Sequence, residues 1–163
     1  MVRSFQEAVF EVYTKTLKFL NDLKDSKNIV EIIDSEVKSS GVAVVMEHCI
    51  FDLATEGAIK GFHPNRVIYE ILLFLLDVEK QMRAENIVNF DLKPKNILKR
   101  GWKVTDFDTS AYVEDGQTLY VSRRGTLGYT DPDVFKGITL KATSMTDLYS
   151  VGAILHTGDG GNI

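Results

Sequence analysis

The sequence predicts a domain of the α+β class, because helical and strand-like patterns are combined in one chain of ordinary globular composition. Its 163 residues suffice for a sizeable core, and 44% of them are hydrophobic and 26% charged. Two long segments place apolar residues at helical spacing, and two runs rich in Val and Ile lie between them. No change of composition and no linker divides the chain, so we expect one folded unit.

Charge and cysteine content exclude several classes of function. Lysine and arginine total 19 against 23 acidic residues, a formal net charge of −4, and no long basic run offers a surface for nucleic acid. Cys49 is the single cysteine, so an intramolecular disulfide or a cysteine-based zinc cluster is not expected. The most apolar stretch, residues 67–78, contains Glu70 and Asp77 and is too short for a bilayer. We expect a cytoplasmic or nuclear protein whose partners include neither nucleic acid nor a membrane.

The first part of the chain predicts a helix followed by two strands. Runs over 28–37 and 41–46 are rich in Val and Ile, and residues 38–40 have the composition of a turn between two strands. The helix covers about residues 5–23, where apolar side chains recur at helical spacing: Phe5, Val9, Val12, Leu17, Leu20 and Leu23.

The middle of the chain predicts a second helix and then a short hairpin. The helix opens at residues 63–65, which contain a proline, and its apolar face comprises Ile68, Ile71, Leu72, Leu75, Leu76 and Met82. Residues 97–98 and 103–104 are strand-like and flank a turn centred on Gly101.

The last part of the chain predicts a long loop, one more helix and a tail. Residues 108–130 are polar and irregular, and loops of that length are often functional. Within this loop Arg123 and Arg124 are interpreted as solvated charges, with contact to an acidic peptide as the alternative. A helix is predicted over about 146–155, and the glycine-rich tail 156–163 is expected to be irregular.

Four polar residues in two neighbouring loops point to phosphoryl transfer. Such a reaction needs a carboxylate that orients the attacking hydroxyl, oxygen ligands that hold Mg²⁺ against the phosphates, and a cation that offsets developing charge. Asp91 suits the first role and Lys93 the third, which makes them the predicted catalytic residues. Asn96 and Asp106 are the predicted metal ligands, and the hairpin between them would fold one back beside the other.

Four segments in order along the chain resemble the motifs of the protein-kinase family. Residues 91–98 match the catalytic loop H-R-D-L-K-P-x-N from its aspartate onward, and residues 106–107 match the start of D-F-G. Residues 125–133 resemble the G-T-x-x-Y-x-A-P-E segment, where the peptide substrate docks, and residues 147–152 resemble the buried helix whose aspartate braces the catalytic loop. The resemblance implies a kinase-like fold, mostly its helical C-lobe with remnants of the N-lobe, namely an αC-like helix and two strands.

The resemblance also implies a division of the chain and further site residues. Residues 1–163 would form a partial kinase domain with an N-lobe remnant at 1–46, a hinge at 47–52, a C-lobe part at 53–155 and an irregular tail at 156–163. The implied nucleotide-binding residues are Met46, Glu47, Cys49, Asp52 and Leu98, and the implied substrate-binding or structural residues are Thr126 and Asp147. Residues 45–53 are also similar to the hinge of the monopolar-spindle kinases.

Several family positions carry different residues in this chain. The αC glutamate position falls on Thr16, Asn89 and Phe90 replace His and Arg of the catalytic loop, and Asp108 replaces the glycine of D-F-G. No glycine precedes Gly41, so the glycine-rich loop and the ATP-binding lysine have no counterpart in the sequence. Because the family arginine pairs with a phosphate on the activation loop, its replacement predicts that activation does not follow that route.

Two functions remain open at this point. The resemblance implies an ATP- and Mg²⁺-dependent kinase of the serine/threonine type, since Lys93 and Thr126 are the residues of that type, acting on a protein substrate. The alternative is a catalytically inactive pseudokinase or decoy that binds a partner kinase or its substrates. The joint lack of the glycine-rich loop, the ATP-binding lysine and the αC glutamate favours this second reading, because these groups position the phosphates.

Overall fold

The computed structural model describes residues 5–38, 41–55, 64–114, 116–121, 124–135 and 140–158. In these ranges the helices are α1 (Phe5–Asp22), α2 (Pro64–Ala84), α3 (Pro132–Phe135) and α4 (Asp147–Gly158), with a 3₁₀ turn at Pro94–Asn96 and a helical start at 53–55. The strands are β1 (Ile32–Lys38), β2 (Gly41–Met46), β3 (Ile87–Val88), β4 (Ile97–Leu98), β5 (Lys103–Val104), β6 (Ala111–Tyr112), β7 (Leu119–Val121) and β8 (Leu140–Ala142). They form antiparallel pairs β1–β2, β3–β6, β4–β5 and β7–β8. The α+β class is confirmed.

The predicted helix and strand pair of the first part are present, but β1 begins later than expected. Residues 28–30 do not extend β1, because they pair with β5 instead. The amide of Val30 donates to the carbonyl of Val104 at 3.0 Å, and the amide of Val104 donates to the carbonyl of Asn28 at 2.8 Å. The predicted turn partly lies outside the described residues, at 39–40.

A hydrophobic core joins α1 to the later elements. Phe19 is fully buried, and its ring lies 4.7 Å from that of Tyr112, a partly buried residue of β6. Leu75 and Val78 bury the inner face of α2, which packs against α4. Each such side chain contributes about 1.5–3 kcal/mol by leaving water. Within the described ranges, no helix has both the length and the apolar character needed to cross a membrane.

Polar contacts hold the first part of the chain to the second. The Tyr112 hydroxyl donates to Asp22 Oδ2 at 2.6 Å, so the end of α1 is tied to β6. In the turn after α1, Asn28 Nδ2 donates to Asp77 Oδ2 of α2 at 2.5 Å. The Ser26 hydroxyl donates to Oε1 of Gln81, which lies one turn after Asp77 in α2. These contacts hold the end of α1 against β6 and the turn after α1 against α2.

Two expectations for the last part of the chain were wrong. The segment 108–130 is not wholly irregular, since it contains β6 and β7, which find partners far away in sequence. Helix α4 runs to Gly158, so residues 156–158 are helical and do not belong to an irregular tail. The Thr157 hydroxyl donates to the carbonyls of Ala153 and Ile154 and supports this last turn. Residues 159–163 lie outside the described part of the chain.

Candidate functional site

Helix α4 holds the loop that carries Asp91. Its first residue, Asp147, is 2% exposed and accepts the backbone amides of Asn89 at 2.6 Å and Phe90 at 2.9 Å. Burial is the main reason that the pKa of Asp147 is raised, to about 6, and the negative charge of Glu79 adds to it, while the two amide donors act in the opposite sense. Glu79 is itself 6% exposed, and the guanidinium of Arg83 lies 3.8 Å from its Oε1. Asp147 therefore contacts two amides of the loop that the family resemblance implies it braces.

The backbone at Phe90 is held in a costly conformation. Its φ is +67°, the left-handed region, which is unusual for a large side chain. The Thr130 hydroxyl donates to the Phe90 carbonyl at 3.0 Å, on the other side of the residue from the Asp147 contact. Such conformations cost about 1–3 kcal/mol each and persist where the surroundings impose them, commonly at functional sites.

Asp91, Lys93 and Thr126 form one hydrogen-bonded group. Lys93 Nζ lies 2.6 Å from Asp91 Oδ2 and donates to Thr126 Oγ1 at 3.0 Å. The Thr126 hydroxyl donates to Asp91 Oδ1 at 2.6 Å, so both carboxylate oxygens are engaged. Asp91 is 7% exposed. The structure thus brings together the two predicted catalytic residues and the predicted substrate-binding threonine around one carboxylate.

The β4–β5 pair folds Asp106 back beside Asn96, as the sequence predicted. Asn96 Nδ2 donates to the Asp91 carbonyl at 3.1 Å and lies 3.3 Å from Asp106 Oδ2. Asn89 Nδ2 donates to the Asp106 carbonyl at 3.0 Å, while its Oδ1 accepts the amide of Asp91 at 3.0 Å. Asn89 therefore links the two loops. The sequence interpretation treated this residue only as a departure from the family. Its side chain carries both N–H donors and a carbonyl acceptor, so it can bond to two loops at once, which is a signal readable from the sequence.

The charge around Asp106 suits a bound cation. Burial removes the Asp106 carboxylate from water and raises its pKa, and the negative charges of Asp108 and Asp91 raise it further. The positive charge of Lys93 acts in the opposite sense but does not prevail. A divalent ion would relieve this excess negative charge. No cluster of three or more Asp, Glu, His or Cys side chains suited to a metal occurs among the described residues. One carboxylate and one amide fit Mg²⁺, which usually takes few protein ligands and the rest from phosphates and water.

Both acidic residues of the predicted hinge, Glu47 and Asp52, make contacts with neighbouring parts of the protein. Glu47 Oε1 accepts the amide of Glu31 at 2.9 Å and lies 2.6 Å from Lys103 Nζ. Burial acts against the charged form, but the contacts with Lys103 and the Glu31 amide prevail and the pKa of Glu47 is lowered. Asp52 accepts the amide and the hydroxyl of Thr55 at 2.8 and 2.7 Å. Any nucleotide contact at Glu47 would therefore involve its backbone.

The other three predicted nucleotide-binding residues, Met46, Cys49 and Leu98, lie within the predicted hinge or next to it. Met46 is 45% exposed at the end of β2. Leu98 lies in β4, paired with Lys103 and bridged to Asp52. Burial, followed by the nearby charge of Glu47, raises the pKa of the Cys49 thiol, and a raised pKa disfavours the nucleophilic thiolate. Their role in nucleotide binding stays a prediction.

Two contacts in this region were missed by the sequence interpretation. The Thr16 hydroxyl of α1 donates to Asp108 Oδ1 at 3.0 Å, so two positions that depart from the family contact each other. Arg124 is not a solvated charge, because its Nη1 donates to the Thr109 carbonyl at 3.0 Å and its guanidinium lies 5.1 Å from the centre of the Phe90 ring. Both Thr16 and Asp108 depart from the family motif, which was the available signal for the first contact.

Comparisons with known proteins agree with this geometry. A family model described as "Protein kinase domain" matches residues 3–158. The chain is 29% identical over 156 residues to the serine/threonine-protein kinase MPS1 of Encephalitozoon cuniculi, covering 92% of this chain and 26% of that protein. It is 28% identical over 159 residues to the probable serine/threonine-protein kinase yakA of Dictyostelium discoideum, covering 92% and 10%. It is 30% identical over 165 residues to the liver/testis phosphorylase b kinase gamma catalytic chain of Homo sapiens, covering 93% and 39%. The chain thus spans 10% to 39% of the length of these relatives.

Proposed function

The chain belongs to the protein kinase domain family, and from that premise we propose that its site transfers a phosphoryl group from ATP to a serine or threonine hydroxyl of a protein. The observation that carries the proposal is the group formed by Asp91, Lys93 and Thr126 beside the Asn96–Asp106 pair. Serine/threonine kinases among the relatives support the choice of hydroxyl.

The residues around Asp91 would act on the attacking hydroxyl. That hydroxyl would replace or join Thr126 at Asp91 Oδ1, where the carboxylate orients it and takes its proton as the new oxygen–phosphorus bond forms. The bond between the γ-phosphorus and its bridging oxygen breaks, and ADP leaves with that electron pair. Lys93 Nζ, at 2.6 Å from Asp91, supplies the positive charge that offsets the charge on the transferred group.

Asn96 and Asp106 would hold Mg²⁺. The residues fit, because each carries a side-chain oxygen of the kind that Mg²⁺ prefers and the two side chains are neighbours, with Asn96 Nδ2 3.3 Å from Asp106 Oδ2. The charges of Asp108 and Asp91 near Asp106 also favour a cation. When bound, the ion neutralises phosphate charge and fixes the phosphates in line with the attacking oxygen. Asn89 positions the Asp106 loop relative to Asp91 through its two hydrogen bonds.

Transfer of labelled phosphate to a generic protein substrate tests the proposal. We expect Asp91→Asn to lower the rate by at least about 100-fold, the usual contribution of a positioned base. Glu36→Gln is the matched control, because it removes an exposed carboxylate of β1 that pairs with Lys38 far from the site. Equal transfer by the unmodified chain and by Asp91→Asn would show that this chain is not an active kinase.

A thermal-shift titration with ATP tests the metal–nucleotide site separately. Ligand that binds the folded state raises the melting temperature, so ATP with Mg²⁺ is expected to do so more than ATP alone. Asp106→Ala is expected to abolish that difference while leaving the shift with ATP alone unchanged. A shift that does not depend on Mg²⁺ in either protein would contradict the assignment of Asn96 and Asp106.

The second candidate function, a catalytically inactive binding protein, is favoured by one contact. Thr16 occupies the αC glutamate position and donates to Asp108, so α1 is joined to the metal loop without a carboxylate available for an ATP-binding lysine. An inactive chain should bind a purified kinase or protein substrate with a Kd that Asp91→Asn and ATP leave unchanged. Binding that requires ATP and Asp91 would favour the enzyme instead.

A further inference from the structure

Arg124 and Phe90 form a contact that joins the loop after β7 to the catalytic loop. The Phe90 ring is fully buried, and the guanidinium of Arg124 lies 5.1 Å from its centre, within the range of a cation–π interaction. Arg124 Nη1 also donates to the Thr109 carbonyl at 3.0 Å. Burial lowers the pKa of Arg124, as expected for a cation partly removed from water. In the family motif the Phe90 position is an arginine, so here the ring lies on the catalytic loop and the cation on the segment that packs against it.

The residues that follow Arg124 also pack directly on Phe90. Gly125 has a φ of +82°, and a Cβ at this position would clash with the Phe90 carbonyl and with the Thr130 side chain. The Thr130 hydroxyl donates to the Phe90 carbonyl at 3.0 Å and accepts the Thr126 amide at 2.9 Å. We call residues 124–130 the docking segment. It contacts Phe90 through both the ring and the backbone.

We propose that Arg124 is a positioning residue, which holds the docking segment on the Phe90 ring and thereby places the Thr126 hydroxyl on Asp91 without a phosphorylated side chain. The geometry is direct: Arg124 precedes Thr126 by two positions, and Phe90 precedes Asp91 by one. Two neighbouring contacts, ring to guanidinium and hydroxyl to carboxylate, therefore fix the same short stretch of chain in register. The catalytic consequence rests on the proposed function, whereas the structural one does not.

Amide hydrogen exchange of the unphosphorylated chain, its state verified by mass spectrometry, tests the proposal. The amides of Thr126, Tyr129 and Thr130 donate within the docking segment, so their exchange reports its opening. Arg124→Ala is expected to speed their exchange roughly tenfold, from the sizes usual for a cation–π contact and one hydrogen bond. Arg124→Lys is expected to fall between, since it keeps the charge but loses the planar fork. Arg100→Ala, which removes an arginine whose side chain is 61% exposed, is the control and should change nothing in this segment.

A double-mutant comparison separates the ring contact from general loosening. In a Phe90→Leu background, Arg124→Ala should accelerate exchange by less than half as much as in the unmodified chain, because the ring is gone. If Arg124→Ala speeds the exchange of α2 amides as well, the same comparison is made with Arg124→Lys. Equal acceleration in both backgrounds overturns the proposal, and so does unchanged exchange in all Arg124 variants. Protection of the docking segment that appears only after phosphorylation overturns it too.

Activity provides an independent readout. If the chain transfers phosphate, Arg124→Ala should lower kcat several-fold and leave the KM for ATP unchanged, because Thr126 and Asp91 act on the hydroxyl and not on the nucleotide. An inactive chain with the expected exchange pattern refutes the proposed kinase activity but supports the positioning role of Arg124. An active chain in which the Arg124 variants leave the exchange unchanged supports the kinase activity but refutes the positioning role of Arg124.

Discussion

Replacing Asp147 by asparagine should change how the stability of the protein depends on pH. Burial raises the pKa of this carboxyl from 3.8 to about 6 in the folded protein, and the charge of Glu79 contributes. In the unfolded chain the group returns to its ordinary value, so the folded state binds the proton more tightly. The contribution of Asp147 is therefore most favourable below about pH 4 and is lost as the pH rises through about 6. A shift of about 2 units corresponds to roughly 3 kcal/mol between those limits.

Urea denaturation of the unmodified chain and of Asp147→Asn, from pH 4.5 to 7.5, measures this effect. The free energy of unfolding of the unmodified chain, minus that of the variant, should decrease as the pH rises, by at most about 3 kcal/mol. Glu36→Gln, at an exposed carboxylate, serves as the control and should give a nearly constant difference. A difference that grows with pH would refute the reasoning. It would mean that the amide donors of Asn89 and Phe90 stabilise the carboxylate more than burial disfavours it.

Three further substitutions probe the loops and the hinge, each by chemical denaturation at neutral pH. Gly125→Ala should cost more than about 2 kcal/mol, because its Cβ meets the backbone carbonyl of Phe90 at a positive φ; a neutral result would mean that the docking segment moves freely. Lys103→Met should lower the free energy of unfolding by about 2 kcal/mol, because the buried Glu47 carboxylate loses its partner at 2.6 Å. This loss should become smaller in acid, where Glu47 takes up a proton and no longer needs a cation. Asn89→Ala should lower the free energy of unfolding by about 2–3 kcal/mol, because it removes one hydrogen bond to the Asp106 loop and one within the loop that carries Asp91; an unchanged midpoint would show that the loops do not depend on them.

The local elements were predictable because their signals lie close together in the sequence. The β4–β5 hairpin follows from two strand-like pairs around Gly101, and it alone suffices to bring Asp106 back to Asn96. Helix α1 follows from apolar residues at helical spacing. The catalytic group was predictable in part, since Asp91 and Lys93 are separated by only one residue.

Contacts between distant residues were not predictable from local patterns. The start of β1 depends on the pairing of residues 28–30 with a strand about 70 residues away. Helix α4 continues to Gly158 although glycines are poor helix formers, and no local pattern predicts this extension. Arg124 lies in a polar loop and looks like a solvated charge, because nothing near it in the sequence indicates that a buried ring from residue 90 will lie beneath it.

The chain's own sequence determined the class of fold, the family and the residues that we propose for phosphoryl transfer, because each depends on residue type and short spacing. The tertiary structure decided which groups from distant segments contact each other. Asp147 accepts an amide of the catalytic loop, the Thr126 hydroxyl donates to Asp91, and the Arg124 guanidinium lies on the Phe90 ring. Those relations depend on burial and on distances between loops that are far apart in the chain. Electrostatic energy varies steeply with both quantities, and neither can be read from the order of residues.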